Sequence, residues 1–547
     1  MVWWRYLLLT VLGVLLGLPL LLPLIECGSS VTKLVSPDEL SRLFSLAKTT
    51  TLLVISVVGI SLPMGIMSGL LLFRTDMLGR SLFLFVTGLI LFVPLPVFTS
   101  AWQAAVGFDG WLLPLWAPRQ RQPWAEGLFP AIWVHSLAAI PWTSWIVGSC
   151  SLWVERELEE DALLVHPPLT VLLRVTVSRC YAGIICAAIW TALQVVGNIV
   201  VTDMFQVRSF AEEVYLVLNQ GSEDAVTSAV MVSLPAMFLF WAFLLSVGAY
   251  AYRLLPPPLS ITRPPLIFSA GQWGWCWLLG LVVLYGFVLL LPIFSLLRQV
   301  GIEGSPERWS FSGALLQLTK AARVSGIEVI SSFACACIVG VVAGVTALIL
   351  SSNLARNRYL RWLVFAVLAA IAVLPGPILG IGLKSTILFL ISMIPIPFVE
   401  KWLYFGPSWV PIGWAYFLRW FPVAFAVVWL AYRSIPKSLT DQSDLDGLSA
   451  TRRLWSLEAP LTRRAVFIAS GVVTALSLGE VSTSKLAGTP GVQTFSMVVF
   501  DRMHYGVTQE VAAICLLQLS LVGAMGLCGL VWWGIFRGRQ RTKYDLD

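Results

Sequence analysis

Apolar stretches long enough to cross a bilayer alternate along the chain with short polar segments. A helix needs about 20 apolar residues to span the hydrocarbon core. On that measure, residues 3–24, 50–73, 81–99, 128–150, 180–201 and 227–252 are predicted spans, followed by 271–297, 328–351, 362–383, 409–432, 464–480 and 511–536. The stretch STILFLISMIPIP, residues 385–397, is too short to cross and predicts an interfacial or re-entrant piece. The pattern implies an all-α polytopic membrane protein with about 12 transmembrane helices.

Two polar interruptions stand out because they recur 282 residues apart, Glu159–Ser178 (EEDALLVHPPLTVLLRVTVS) and Asp441–Pro460 (DQSDLDGLSATRRLWSLEAP). Each has an acidic start, a turn, a short helix with basic residues and an apolar close. Six predicted spans separate equivalent points, so the chain returns to the same side of the membrane. The two halves are then expected to be parallel six-helix repeats about an axis along the membrane normal. Other landmarks keep step: Pro141 with Pro422, Gly197-Asn198 with Gly479-Glu480, and Ser209-Phe210 through Tyr215 and Gly221 with Thr494-Phe495 through Phe500 and Gly506. The Pro-rich run at 253–270 predicts the boundary, giving transmembrane domains at 1–260 and 261–547.

Inside the loops, Pro167 and Pro168 suit a first helical turn, and Leu169, Leu172, Leu173 and Val175 mark one face at helical spacing. In the second copy Gly447 permits a sharp turn, and Leu448, Trp455 and Leu457 supply apolar contacts beside Arg452 and Arg453. Such a helix can lie in a groove of a partner or on lipid headgroups. Duplication at equivalent positions favours a dimeric partner engaging both.

Composition narrows the class. The chain is 58% hydrophobic and 12% charged, where a soluble domain is roughly 25% charged. With the N-terminus inside, inside segments hold 21 of the 36 Lys and Arg residues and outside segments 14, Arg419 lying within a span. The positive-inside bias places both loops and both termini in the cytoplasm. The net charge of +7 follows from that topology, so no nucleic-acid partner is expected. The nine cysteines lie mostly in or beside spans and imply no disulfide framework. LPLIEC ending at Cys27 looks like a lipoprotein signal, but Glu26 occupies the small-residue position, so a retained first helix is expected.

The loop spacing resembles the cytoplasmic loop of binding-protein-dependent ABC importer permeases, E-A-A-x3-G-x9-I-x-L-P. Gly447, Leu457 and Pro460 fall at its glycine, isoleucine and proline, while Asp441-Gln442-Ser443 and Ala459 depart from it. In the first copy Glu159 matches and Val175 and Val177 are conservative, but Val165 and Ser178 replace the glycine and proline. RTDMLGR (74–80), LPGPILGIGL (374–383) and SLGEVSTSKLAGTPGVQTFSMVVF (477–500) resemble segments of the fused two-domain permeases of iron(III) and thiamine importers.

That resemblance implies a bacterial inner-membrane permease with no cofactor of its own. Two copies of an ATPase subunit would carry the ATP and grip the loops through Glu159, Val165, Pro168, Val175, Ser178, Asp441, Gly447, Arg452, Leu457 and Pro460. A periplasmic or extracellular binding protein would deliver the cargo, with iron(III) the first expectation and thiamine or another small solute next.

No ATP site is expected in this chain, because GPILGIGLKS lacks the glycine that a Walker A motif needs directly before its lysine. Asp76-x-x-Gly79-Arg80 also resembles a loop of major facilitator carriers, which keeps a 6+6 secondary active transporter as the alternative. The predicted hydrophobic cores offer essentially none of the intramembrane carboxylates that an ion-driven carrier would use. Asn198, Glu480 and Arg419 are candidate pathway residues, each with a structural alternative, since a charge at mid-membrane must face protein, water or the interface. His135, His166 and His504 are scattered, and no metal site or nucleophile–base pair is expected.

Overall fold

The computed structural model describes residues 3–28, 37–107, 110–112, 125–219, 237–250, 264–304, 308–355 and 357–544. Residues 253–263 of the boundary predicted at 253–270, both ends of the 227–252 span, Gly221 and Arg356 lie outside the described residues.

Helices dominate. The chain enters through Trp3–Leu12 (α1), a π-helical turn at Gly13–Gly17 and Leu18–Gly28 (α2), then a 38-residue helix, Pro37–Arg74 (α3). Arg80–Ile90 (α4) and Leu95–Val106 (α5) follow, then Leu128–Ser151 (α6). The first polar loop is Arg156–Leu163 (α7), Pro168–Val171 (α8), a π-helical turn at Leu172–Thr176 and Val177–Arg179 (α9). Tyr181–Gly197 (α10), Val200–Met204 (α11), Phe210–Asn219 (α12) and Met237–Tyr250 (α13) complete the first part.

The second part opens with Gly274–Tyr285 (α14), a π-helical turn at Gly286–Leu290 and Leu291–Val300 (α15). A two-residue antiparallel ribbon, Ile302–Glu303 with Arg308–Trp309, leads into the 44-residue Phe311–Leu354 (α16). Then come Arg358–Val373 (α17), Gly376–Met393 (α18), Pro397–Glu400 (α19) and Val410–Arg433 (α20). The second polar loop is Lys437–Leu445 (α21), Ala450–Arg453 (α22) and a π-helical turn at Leu454–Glu458, running into Ala459–Leu478 (α23). Ser484–Ala487 (α24), Phe495–Met503 (α25) and Gln509–Tyr544 (α26) close the chain.

Element boundaries recur at the interval read from the loops. Helices α6 and α20 are both 24 residues long and start 282 positions apart, as do α8 and α22 and the two π-helical turns that follow them.

The predicted twelve crossings need correction. Eight helices among the described residues are long and apolar enough to cross a membrane, or up to eleven if each bent pair counts as one. The predicted span 81–99 is two helices, α4 and α5, meeting at 102°. Pro94 is extended there (φ −64°, ψ 144°), and Pro96 sits in the first turn of α5, so the chain restarts a helix instead of continuing one. Span 362–383 likewise divides at Leu374 and Pro375 into α17 and α18. The 385–397 stretch is not a separate re-entrant piece: as far as Met393 it is the body of α18, whose start at Gly376-Pro377 lies inside the predicted span. Helices α3 and α16 both outrun their predicted spans, and α16 at 44 residues is about 66 Å long, twice a hydrocarbon core.

The entry helices cross over. Helix α2 packs on α18, and α15 packs on α5, so each part of the chain lends its first helix to the other. Small residues allow the tightest contacts: a Cβ on Gly65 would collide with Thr143 of α6, and one on Gly340 with Ser470 and Thr474 of α23. With no hydrophobic drive between helices in lipid, such close packing carries the association. One apolar cluster joins Val97, Ala101 and Tyr215 with Leu296, Phe495 and Phe500, so the two parts share a core.

Candidate functional site

The first polar loop is a helix, a turn and a second helix folded against the end of α3. Its underside packs Val171 and Leu172 on Leu70 and Phe268. Glu159, on α7, is fully buried. It pairs with the equally buried Arg74 and accepts a 2.6 Å hydrogen bond from the Thr176 hydroxyl. Burial pushes the Glu159 carboxyl up, and the Thr176 bond and the Arg74 charge oppose that shift. Arg74 also donates to the carbonyls of Ser151 and Leu266. One guanidinium therefore ties together the ends of α3 and α6, the loop, and the segment around Phe268 that pairs alongside Thr75.

The second loop holds itself together differently. Helix α21 ends in a left-handed residue, Gly447 at φ +69°. Leu448 N–H donates to Ser443 O and Gly447 N–H to Asp444 O, both at 3.1 Å, the pair of bonds that satisfies the last carbonyls of a helix. Ser449 caps the next helix, accepting from Arg452 N–H. Arg453, 3% exposed, donates to Glu458 and to Asp444, each at 2.9 Å. Tyr432, from the end of α20, donates to the same Glu458 oxygen at 2.9 Å.

The predicted loop residues divide in two. Glu159 is internal. Val165, Pro168, Ser178, Asp441, Gly447, Arg452 and Pro460 are exposed, and Val175 and Leu457 are half-buried. The apolar face expected from Leu169, Leu172, Leu173 and Val175 is split: Leu172 packs inward, while Leu169 and Leu173 point outward beside Leu164 and Val165. On the second loop Leu445 and Trp455 are exposed and Leu448 is half-buried. Each loop thus presents uncovered apolar side chains above a charged anchor. Glu159, Arg453 and the RTDMLGR segment that begins with Arg74 were legible in the sequence, but their pairing was not. Glu458 stands where the first loop has Thr176, so the interval alone pairs a carboxylate with a hydroxyl.

A cavity of about 100 Å³ lies between the two parts of the chain, away from the loops. Asn198, Arg419 and Glu480 all line it, with His135, Trp142, Trp190, Thr191 and Trp420. Arg419 donates to Leu374 O at 2.5 Å and lies over the Trp420 ring. Gly197 makes room, since a Cβ there would meet the guanidinium at 2.1 Å. One Glu480 oxygen accepts from Thr483 N–H at 2.7 Å, and Asn198 Oδ1 from Val200 N–H at 2.8 Å. The three candidates therefore share one chamber, and each has a structural bond as well. His166 is exposed on the first loop, and His504 pairs with Asp203 at 2.7 Å, joining the two parts. No group of three or more His, Cys, Asp and Glu residues suited to a metal occurs among the described residues.

Comparison with known proteins agrees with this architecture over part of the chain. Residues 338–535, which include the second loop, match the family described as "Binding-protein-dependent transport system inner membrane component". The chain is also similar to the putrescine transport system permease protein PotI of Escherichia coli K12, at 24% identity over 273 residues, 49% of this chain and 92% of the relative. The protein of the same name from Escherichia coli O6:H1 matches equally. A multi-pass helical membrane protein with a region similar to transport permeases is what the fold and these likenesses establish together.

Proposed function

We propose that this chain is the transmembrane component of an ATP-driven importer and carries two permease domains, at about 1–260 and 261–547. The carrying observation is the pair of folded loops at one interval, each anchored by a buried ion pair and each exposing apolar side chains. Only one of them lies inside the family match. The reading places both loops and both termini in the cytoplasm and gives the loops to two copies of an ATPase subunit, on which all ATP chemistry occurs. A binding protein on the opposite face would deliver cargo. Closing the ATPase pair would swing the loops, and rigid-body rocking of one half against the other would alternate access to the chamber between them. The crossed packing of α2 and α15 supports this, since it makes each half carry part of the other.

The resemblance proposes iron(III) or thiamine as cargo, whereas the printed name of the relative concerns putrescine. The test is a mild-detergent pulldown of the tagged chain followed by mass spectrometry. Recovery of two ATPase subunits per chain, lost when both loop helices are disrupted, is the expected result. Reproducible absence of an ATPase from an intact, folded preparation would sink the reading.

A further inference from the structure

We infer that the central chamber takes a small zwitterion, with a carboxylate at Arg419 and an amino group at Glu480. The inference rests on the permease reading and narrows its cargo. Both charged side chains are buried, Arg419 at 6% exposure and Glu480 at 5%. They line the same cavity and act on each other electrostatically without a direct salt bridge. A buried guanidinium and a buried carboxylate at one cavity and not in contact leave room for a ligand that answers both.

The uncharged lining points the same way. The indole N–H groups of Trp190 and Trp420, the Thr191 hydroxyl and His135 Nε2 are buried with no hydrogen-bond partner among the described residues. All four side chains line the cavity. An indole N–H can only donate. With the guanidinium, of which one nitrogen serves Leu374 O, the side chains that line the chamber carry unpartnered donors, which favours a ligand bringing acceptor oxygens. A carboxylate supplies them, and charge-assisted bonds to Arg are among the strong ones. Glu480 uses one oxygen on the Thr483 amide, and the other suits an ammonium. Trp142 and Trp190, with ring centroids 5.1 Å apart, wall the space between the poles with apolar surface.

The same features disfavour the other cargoes. A diamine would bring a second cation against Arg419, and a bare metal ion would find a single carboxylate and one histidine. The volume of about 100 Å³ suits a solute of a few heavy atoms.

Four probes with a four-carbon chain separate these cases: 4-aminobutyrate, butyrate, n-butylamine and putrescine, titrated calorimetrically into the full-length chain in lipid nanodiscs. The expected order puts 4-aminobutyrate tightest and putrescine weakest. Arg419→Gln should weaken 4-aminobutyrate and butyrate at least about tenfold and leave n-butylamine unchanged, because a hydrogen bond to a charged group contributes roughly 1.5–3 kcal/mol. Glu480→Gln should weaken 4-aminobutyrate and n-butylamine and spare butyrate. Trp190→Phe keeps the ring and removes one donor, so it reads the site even if the Arg419 variant does not fold, and should weaken butyrate several-fold. Tighter binding of putrescine than of 4-aminobutyrate, binding of none of the four, or affinities unmoved by the substitutions in folded protein would overturn the inference. ATPase recovery from the same preparations is independent of the probe, so a failure here with the ATPase still bound sinks the cargo class alone.

Discussion

The two polar loops have helices nearly in register, different turns and different fastenings. Helix, turn, helix and π-helical turn come at one interval in both, yet the first is fastened to α3 through Glu159 and Arg74 while the second is tied within itself and to α20 through Arg453, Glu458 and Tyr432. The carboxylate has moved from the first loop helix to the second. Asp441, at the position of Glu159, is exposed, and Thr176 is replaced in register by Glu458. What the two loops share is an anchored base beneath an apolar tip, and several residue sets can build one.

The sharpest way to break that comparison is to remove each anchor. Arg74→Met leaves Glu159 buried and unpaired and should cost about 3–5 kcal/mol, read as a lowered thermal midpoint and early proteolysis of the first loop. Arg453→Met should cost less, about 2 kcal/mol, because its second partner Asp444 is half exposed to water, whereas Arg74 also holds the buried carbonyls of Ser151 and Leu266. Equal losses would refute the asymmetry.

The apolar tips come next. Leu173→Asp and Trp455→Asp alter exposed residues and should leave stability unchanged while weakening ATPase recovery by about 2 kcal/mol or more, if each is a central contact. If only one variant matters, a single loop couples.

The turns should differ by less. Gly447→Val forces a β-branched residue to φ +69° and should cost about 1–2 kcal/mol. The reverse change in the first loop, Val165→Gly, meets no left-handed backbone and should cost under about 1 kcal/mol. Chemical denaturation of the four loop variants ranks them.

The smallest effect concerns His504 and Asp203, on the side of the chamber away from the loops. The hydrogen bond to Asp203 raises the His504 pKa. The pair's contribution is therefore complete below the ordinary value near 6.5 and fades as pH rises through the raised one. Partial exposure keeps it under about 1 kcal/mol. Glu212 faces the same Asp203, and burial with that charge pushes it up to about 9, so its protonated form adds stability that fades over the same rise. Lys485, the other nearby cation, opposes protonation of His504. Thermal midpoints from pH 6 to 9 should fall in the unmodified chain and fall less in His504→Asn, which keeps only the Glu212 part.

The helical class, the repeat interval, the turn at Gly447 and the chamber residues Asn198, Arg419 and Glu480 were legible in the sequence. Each rests on local or periodic information. An apolar run of membrane length has to be a helix in lipid, because its backbone must satisfy itself. A left-handed turn favours glycine, and a charge inside a span has to face something polar.

Tertiary structure decided the rest. Breaks at Pro94 and at Leu374-Pro375 divided two predicted crossings into separate helices, a matter of backbone conformation that hydropathy does not carry. Arg74 and Glu159 are 85 residues apart, and Arg419 and Leu374 are 45 apart. Trp190 and Trp420 meet at one cavity from different helices. Such pairings depend on how helices cross, and in a membrane that is set by close packing of small residues more than by the apolar pattern.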